Sequence, residues 1–589
     1  MTKKIHAHSF HIPVLGIGYT IDTPTKVSHY GINSVIPIGD HRLIEKMREF
    51  QCKRMQIPFK PIDENVEDSR AKRITEYLNL INDIVTKNFN NLKKSTFEKG
   101  SEITKYFEML PQTSILKTEY NDMLQLNSDE AKQEAQQKLR EKLIPGSIDV
   151  NIMTKLDRVN YSPDKKALPI EYNDAHAALR GFANSNLNSA IVLSAGLHPR
   201  LYNYMSNFDD FFPNEKGELK KKITLKVSDY RSALIQGKFL AKKGLWVSEY
   251  RIESGLNCGG HAFITNGSLL GPAMEEFKEN KEQLISYNFE LLLAALKNDN
   301  RTLINEPPPI SVTVQGGVGT NEEHNFLIDH YNIDSVGWGT PFLLVPEAVN
   351  IDQTTMDLLC KAEEKDLYLS NISPIGVPFN TVKGTSVDDN RKRAIEEDKP
   401  GSPCPKKHLV YNTEFTEKPI CLASRQYQKL KIEELKNKRF DIDKFKKEYN
   451  KIVEKTCLCI GLTNPAFLAY GISNGAKNQG VSVCPGPNMA YFSEIVTLKD
   501  MIAHIYGKMN LIKRNDRPNM FILELSMYYD HFKNKLAETL TPLTKKQTEH
   551  FVNAQEKMIE GINYYKNIFS NINIQNELDT FKKKLNKLI

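Results

Sequence analysis

Short β-branched runs separated by helical patterns recur from residue 10 to residue 340, and that alternation leaves few folds open. The runs are Phe10–Leu15, Ser34–Ile38, Ser147–Thr154, Ser189–Ser194, Ile223–Val227, Gly244–Ser248, Ile310–Val314 and Ser335–Gly337. Helical periodicity separates several of them, as in Asp229–Lys242 and Pro272–Lys297. Buried strands alternating with helices predict a parallel sheet, and glycine-rich turns at both ends of the series predict that it closes. The expected fold class is α/β: a (β/α)₈ TIM barrel with a helical insertion and a mostly helical, Cys-containing C-terminal extension.

The barrel is expected over 1–45 and 145–385. Between these parts, 46–144 is polar, nearly free of glycine and marked by apolar residues at helical spacing, among them Ile74, Tyr77, Leu78, Ile81 and Ile84. It reads as a helical insertion, because a structureless loop of that length does not suit a compact domain. Residues 386–495 form a Cys-, Pro- and Gly-rich region, and 496–589 reads as amphipathic helices ending in a lysine-rich tail. With 40% hydrophobic and 26% charged residues and a net charge of +7, the chain has the composition of a water-soluble protein without a strong field of one sign. Neither a signal peptide nor an apolar run long enough for a bilayer is present, so a cytoplasmic protein is expected, with no membrane or nucleic-acid partner. Self-association is left open.

Two successive strands end in glycine-rich turns, Gln315-Gly-Gly-Val-Gly-Thr320 and Gly337-Trp-Gly-Thr340. Consecutive glycines let main-chain amides approach an anion, and a following helix N-terminus adds a favourable dipole. In barrels of this kind a phosphate commonly sits between the loops after the last two strands. A third loop, Glu253-Ser-Gly-Leu-Asn-Cys-Gly-Gly-His261, puts Cys258 and His261 at a strand's C-terminal end, where barrel chemistry is performed. An imidazole such as His261 can serve as an acid near neutrality and Cys258 carries a thiol proton, so either is a candidate acid; a packing role for Cys258 is the alternative. Lys155 and Arg158 are candidates for holding an anionic group, with solvated charges as the alternative.

These segments, with Asp149-Val-Asn-Ile-Met153 and the stretch from Lys226 to Gly244, resemble nitronate monooxygenases and the related FMN-dependent enoyl-thioester reductases. The resemblance covers 10–50 and 145–350. It implies an FMN oxidoreductase acting on a small-molecule or thioester-linked substrate, with NAD(P)H as candidate electron donor. It further implies that Gly16 and Gly18 pass under the flavin and that Asn151 contacts its pyrimidine. Gln315, Gly316 and Gly317 would lie at the phosphate, with Gly339 and Thr340 closing the other side, and His261 would act beside the flavin. Cys258 stands where that family carries an acidic or small residue, so the resemblance implies the flavin more firmly than a nitronate substrate.

Five of the eight cysteines, Cys404, Cys421, Cys457, Cys459 and Cys484, fall in the Pro/Gly-rich region, where turns could converge thiolates on a [4Fe–4S] cluster or zinc. Ordinary thiols are the alternative, since no C-x₂-C pair occurs. Three other functions stay open at this point. One is a barrel isomerase or aldolase with a phosphorylated substrate, using Lys155, Lys226, Glu249 or Glu253. Another is an RNA-modifying flavoenzyme using the lysine-rich stretches, and the third is a non-catalytic flavin sensor.

Overall fold

The computed structural model describes residues 6–152, 156–162, 164–473, 480–539 and 543–588. Lys155 lies outside them. The strands are β1 (Phe10–Ile12), β2 (Asn33–Pro37), β3 (Ile148–Asn151), β4 (Ser189–Leu193), β5 (Lys221–Val227), β6 (Val247–Glu253), β7 (Gly260–His261), β8 (Ser311–Gln315), β9 (Ser335–Gly337), β10 (Leu367–Ser370) and β11 (Phe379–Val382). Eight of them close a barrel in the order β1-β2-β3-β4-β5-β6-β8-β9. Every pairing is parallel, and β9 returns to β1 with Phe10 opposite Val336. The expected TIM barrel is therefore present.

The barrel interior is unusually polar. Side chains alternate inward along β6, so Glu249, Arg251 and Glu253 share one face. Glu249 accepts from Thr313 Oγ1 at 2.5 Å and pairs with Arg251 at 2.7 Å. Burial opposes ionisation of Glu249, but the Arg251 guanidinium and His11 hold its carboxyl down to about 2.

The insertion between β2 and β3 is helical, as expected, and has two parts. Helix Ser69–Lys94 buries Ile74, Tyr77, Leu78 and Ile81 in the main core. Helices Glu102–Met109, Ile115–Leu124 and Asp129–Lys142 gather around a small core of their own, built on Tyr106, Phe107, Tyr120 and Leu139. Beyond the barrel, β10 and β11 join β7 in an antiparallel sheet, with Phe379 opposite His261. The C-terminal helices Met520–Glu538 and Lys545–Ile568 bury Phe521, Leu525, Met558 and Tyr565 in the same core as the barrel. Among the described residues no single helix is long and apolar enough to cross a membrane; one bent pair, Ile442–Val453 with Leu458–Tyr470, passes by composition.

Candidate functional site

The strands β8 and β9 pair with Gln315 opposite Gly337, so the glycine turns that follow them emerge side by side. Gly316 and Gly317 take φ of +116° and +90°, a backbone region that favours glycine. A Cβ on Gly316 would stand 2.8 Å from the Cys258 sulfur, and one on Gly317 would stand 2.4 Å from the Asn257 amide. Among the described residues, the amides of Gly316, Gly317, Val318, Gly339 and Thr340 donate to no protein acceptor. Both loops open onto one cavity. Its walls also include Pro13–Ile17, Asn151, Lys226, Cys258, His261 and Gln315.

The helix behind the first loop does not offer its N-terminus to an anion as expected. Its cap, Thr320, accepts from the Glu323 amide at 3.2 Å, while Glu323 Oε2 accepts from the Gly319 amide at 2.9 Å. A carboxylate of the chain already occupies that position, which leaves the amides of 316–318 for a ligand.

The loop is braced from far along the sequence. Arg517 forms two parallel bonds to Glu323 at 2.8 and 2.9 Å and donates to the Gly317 carbonyl at 2.9 Å and to Asn488 Oδ1 at 2.8 Å. Both charged side chains of this pair are only 5% exposed. Asn488 in turn donates to the Val318 carbonyl at 2.8 Å.

The loop carrying Cys258 and His261 is held on three sides. Asn380 of β11 donates to the carbonyls of Leu256 and Cys258 at 3.0 and 2.6 Å. The Gly260 amide donates to the Cys484 carbonyl at 3.1 Å, and Gly486 donates to Thr340 Oγ1 at 2.9 Å. On the third side, Asn257 donates to the Met520 carbonyl at 2.9 Å and Ser254 donates to Glu524 at 2.6 Å. His261 thus belongs to a short strand, not a free loop. Its Nε2 lies 2.7 Å from the Ser373 hydroxyl, and its ring meets Phe379 edge-on.

Burial pushes the Glu524 carboxyl up to about 7, against the hydrogen bonds from Ser254 and the Leu270 amide that favour its charged form. The folded carboxyl therefore holds its proton over a range where the unfolded one has lost it. This stabilisation is present below pH 4.5 and is lost as pH rises towards 7, at about 1.4 kcal/mol for each tenfold difference in proton affinity between the two states. Thermal melts are expected to fall across that window in the wild type and to flatten in Glu524→Gln. An unchanged slope in the variant would assign the pH dependence to another group.

Cys258 lines the cavity, but its thiol points at the Gln315 carbonyl, 3.5 Å away. Burial, then the nearby Glu253 carboxylate, pushes its pKa well above the ordinary thiol value, so the thiol is neutral and bonded. Gln315 donates to Glu253 at 2.8 Å, and Glu253 pairs with Lys226 at 3.1 Å, which holds the lysine at the cavity wall.

Two groups of expected residues divide in the structure. Gly16 lines the cavity but Gly18 does not: its amide donates to Leu462 at 2.7 Å, and a Cβ there would strike the Thr463 carbonyl at 2.5 Å. Its glycine serves the packing of the segment 458–463. The five cysteines expected at a metal also separate. Cys484 sits in the cavity wall with its thiol 3.7 Å from the Leu15 carbonyl, where burial pushes it up to about 12. Of the other four, Cys459 also lines the cavity, while Cys404, Cys421 and Cys457 do not. Among the described residues no three His, Cys, Asp or Glu side chains converge to hold a metal ion. Arg158 does not line the cavity; it bonds Asp174 at 3.0 Å.

The bracing residues Arg517, Glu323, Ser373, Asn380 and Asn257 had no local signal. His408, set between Asp40 at 3.5 Å and Asp174 at 3.9 Å, also lines the cavity and was not anticipated.

No protein-family model matches the chain, and no curated protein matches it. Among solved structures it is similar to the enoyl reductase domain of MlnA from the macrolactin biosynthesis cluster of Bacillus amyloliquefaciens, at 12% identity over 64% of this chain and 85% of that one, with a TM-score of 0.33. It is also similar to a nitroalkane oxidase from Streptomyces ansochromogenes, at 9% identity over 85% of this chain and 94% of that one, again with a TM-score of 0.33. Neither likeness is close enough to add to what the strand pairing shows.

Proposed function

We propose that this barrel is an FMN-dependent oxidoreductase acting on a small organic or thioester-linked substrate. The observation that carries the reading is the set of unpartnered amides at Gly316, Gly317 and Val318, facing Gly339 and Thr340 across one cavity. A dianionic phosphate is the group such a cradle suits, because each charge-assisted amide bond is stronger than a neutral one. The fit extends beyond the phosphate. Gln315 Oε1 and Asn257 Oδ1 are buried acceptors without a protein partner among the described residues, and both side chains line the cavity. Pro13–Ile17 supplies a wall for a flat ring, and Asn151 stands at the end of β3 beside it.

When bound, the flavin would supply hydride chemistry. The chain's own part is to hold the ring and place a proton. Ser373 and Phe379 fix the His261 imidazole at the cavity wall, where it would deliver a proton to, or take one from, a bound substrate. The Lys226–Glu253–Gln315 chain keeps a cation at the strand ends of β5 and β6. Cys258, neutral and bonded to a carbonyl, positions the loop; His261 is the proton carrier of the two.

An absorbance spectrum of the purified protein, followed by acid release of the chromophore, tests this directly. A yellow protein releasing FMN is expected. A colourless protein that instead binds a sugar phosphate would transfer the same cradle to a barrel isomerase. His261→Ala is expected to retain the chromophore and to slow its oxidation by substrate by about 10²–10⁴-fold, the usual worth of a positioned acid. Unchanged turnover would remove His261 from the chemistry.

A further inference from the structure

The lysine-rich stretch after the barrel folds into a hairpin of two helices, Arg425–Lys436 and Ile442–Val453. They bury Tyr427, Ile432, Leu435 and Val453, none of which joins the core shared by the barrel and the C-terminal helices. The hairpin is held at its base, where Tyr427 donates to Glu414 at 2.9 Å and the Thr456 amide donates to the Ile372 carbonyl at 2.9 Å. At the other end, residues 436–447 make hydrogen bonds and ion pairs only within the hairpin, among the described residues. Ile442 stands at this tip, the first residue of its helix, with 85% of its surface exposed.

The charge around Ile442 is mostly of one sign. Lys436, Lys438, Arg439, Lys444, Lys446 and Lys447 are all exposed there, against Asp441 and Asp443. Asp441 is engaged in capping the second helix, accepting from the Lys444 amide at 2.8 Å. Of the basic side chains, only Lys438 has an ion-pair partner among the described residues, Glu434. We propose that this tip seats on an anionic phospholipid surface, as a peripheral contact and not a span, with Ile442 in the headgroup layer and the basic side chains at the lipid phosphates. An aliphatic side chain ringed by long basic ones suits such a surface, because their stems lie along the apolar boundary while their charged ends stay with the anions. A nucleic acid would need aromatic faces on which its bases stack, and both phenylalanines of the tip are engaged within the hairpin. Lys444 Nζ lies 4.5 Å from the Phe440 ring centroid, and the Phe445 and Tyr449 rings stack with centroids 6.4 Å apart.

No residue of 436–447 lines the barrel cavity, so the contact stands apart from the flavin reading and is tested without a cofactor. Its strength follows from charge and from one buried side chain. Attraction to an anionic leaflet falls off within a Debye length, so added salt weakens it. The aliphatic insertion is the part that salt leaves in place.

The test sediments the full-length protein with vesicles of phosphatidylcholine alone, or of phosphatidylcholine and phosphatidylserine in equal parts. Binding to the mixed vesicles and not to the neutral ones is expected, with release as salt is raised. Lys444→Glu combined with Lys446→Glu and Lys447→Glu should lower the partition by roughly a hundredfold or more, since each basic residue at an anionic leaflet is worth about fivefold. Ile442→Ser should lower it about tenfold through the lost apolar burial. Ile442→Trp reports insertion directly, because both native tryptophans, Trp246 and Trp338, are buried at 1% and 0% exposure. Its emission is expected to shift to the blue with the mixed vesicles and to stay unshifted with poly(U) RNA. All these side chains are exposed, so wild-type thermal melts are expected and separate lost binding from misfolding. Failure of the wild type to sediment with mixed vesicles at low salt would overturn the proposal. So would binding that Ile442→Ser leaves unchanged, or a blue shift with poly(U) as large as with the vesicles.

Discussion

Arg517→Met is expected to lower the free energy of unfolding by about 3–5 kcal/mol, the usual cost of removing one partner from a buried ion pair. The size follows from what stays behind. Glu323 keeps its carboxylate in a site where it is 5% exposed and where the Gly319 and Met520 amides also converge on it. The Gly317 carbonyl and Asn488 Oδ1 lose their donor at the same time. The cradle loop should therefore loosen before the barrel does. Denaturant unfolding gives the stability change, and titration of the variant with the proposed cofactor, FMN, reports the loop. If Arg517→Met with Glu323→Gln recovers much of the stability, the uncompensated carboxylate is the cause. Wild-type stability and FMN affinity in the single variant would mean the brace is dispensable.

Gly317→Val should abolish retention of a phosphorylated cofactor while leaving the barrel folded. Its Cβ would enter the Asn257 amide at 2.4 Å from a backbone at φ +90°, so the turn must move away from the position its amides now take. Loss of two charge-assisted amide bonds at about 1.5 kcal/mol each weakens binding about a hundredfold. Gly217→Val is the control: φ there is +76°, and a Cβ would meet nothing within 4 Å. Fluorescence titration with FMN separates the two variants. Equal affinity in both would show that the 316–318 amides do not carry the ligand.

Much of the frame was legible because its causes are local. A run such as Ser189–Leu193, buried at every position, reads as a central parallel strand whatever surrounds it. The glycine pairs at 316–317 were readable for the same reason: a backbone with positive φ restricts the residue type at that position alone. The site was read less completely. Gly16 and Gly18 look alike in the sequence, yet one faces the cavity and the other meets Leu462 and Thr463. The cysteines of 404–484 share their Pro/Gly surroundings, yet Cys459 and Cys484 join the cavity wall and Cys404, Cys421 and Cys457 do not.

Strand order and the closing of the barrel were set by periodicity, and the proposed anion site by glycines that the main chain needs where they stand. What holds the cradle, orients His261 and sorts the thiols was decided by folding alone. Arg517 meets Gly317 across a separation of 200 residues, and Asn380 meets Cys258 across 122. Contacts of that range leave no spacing rule in the chain, because any arginine or asparagine brought there by the packing of the C-terminal helices and the β10–β11 hairpin could have made them.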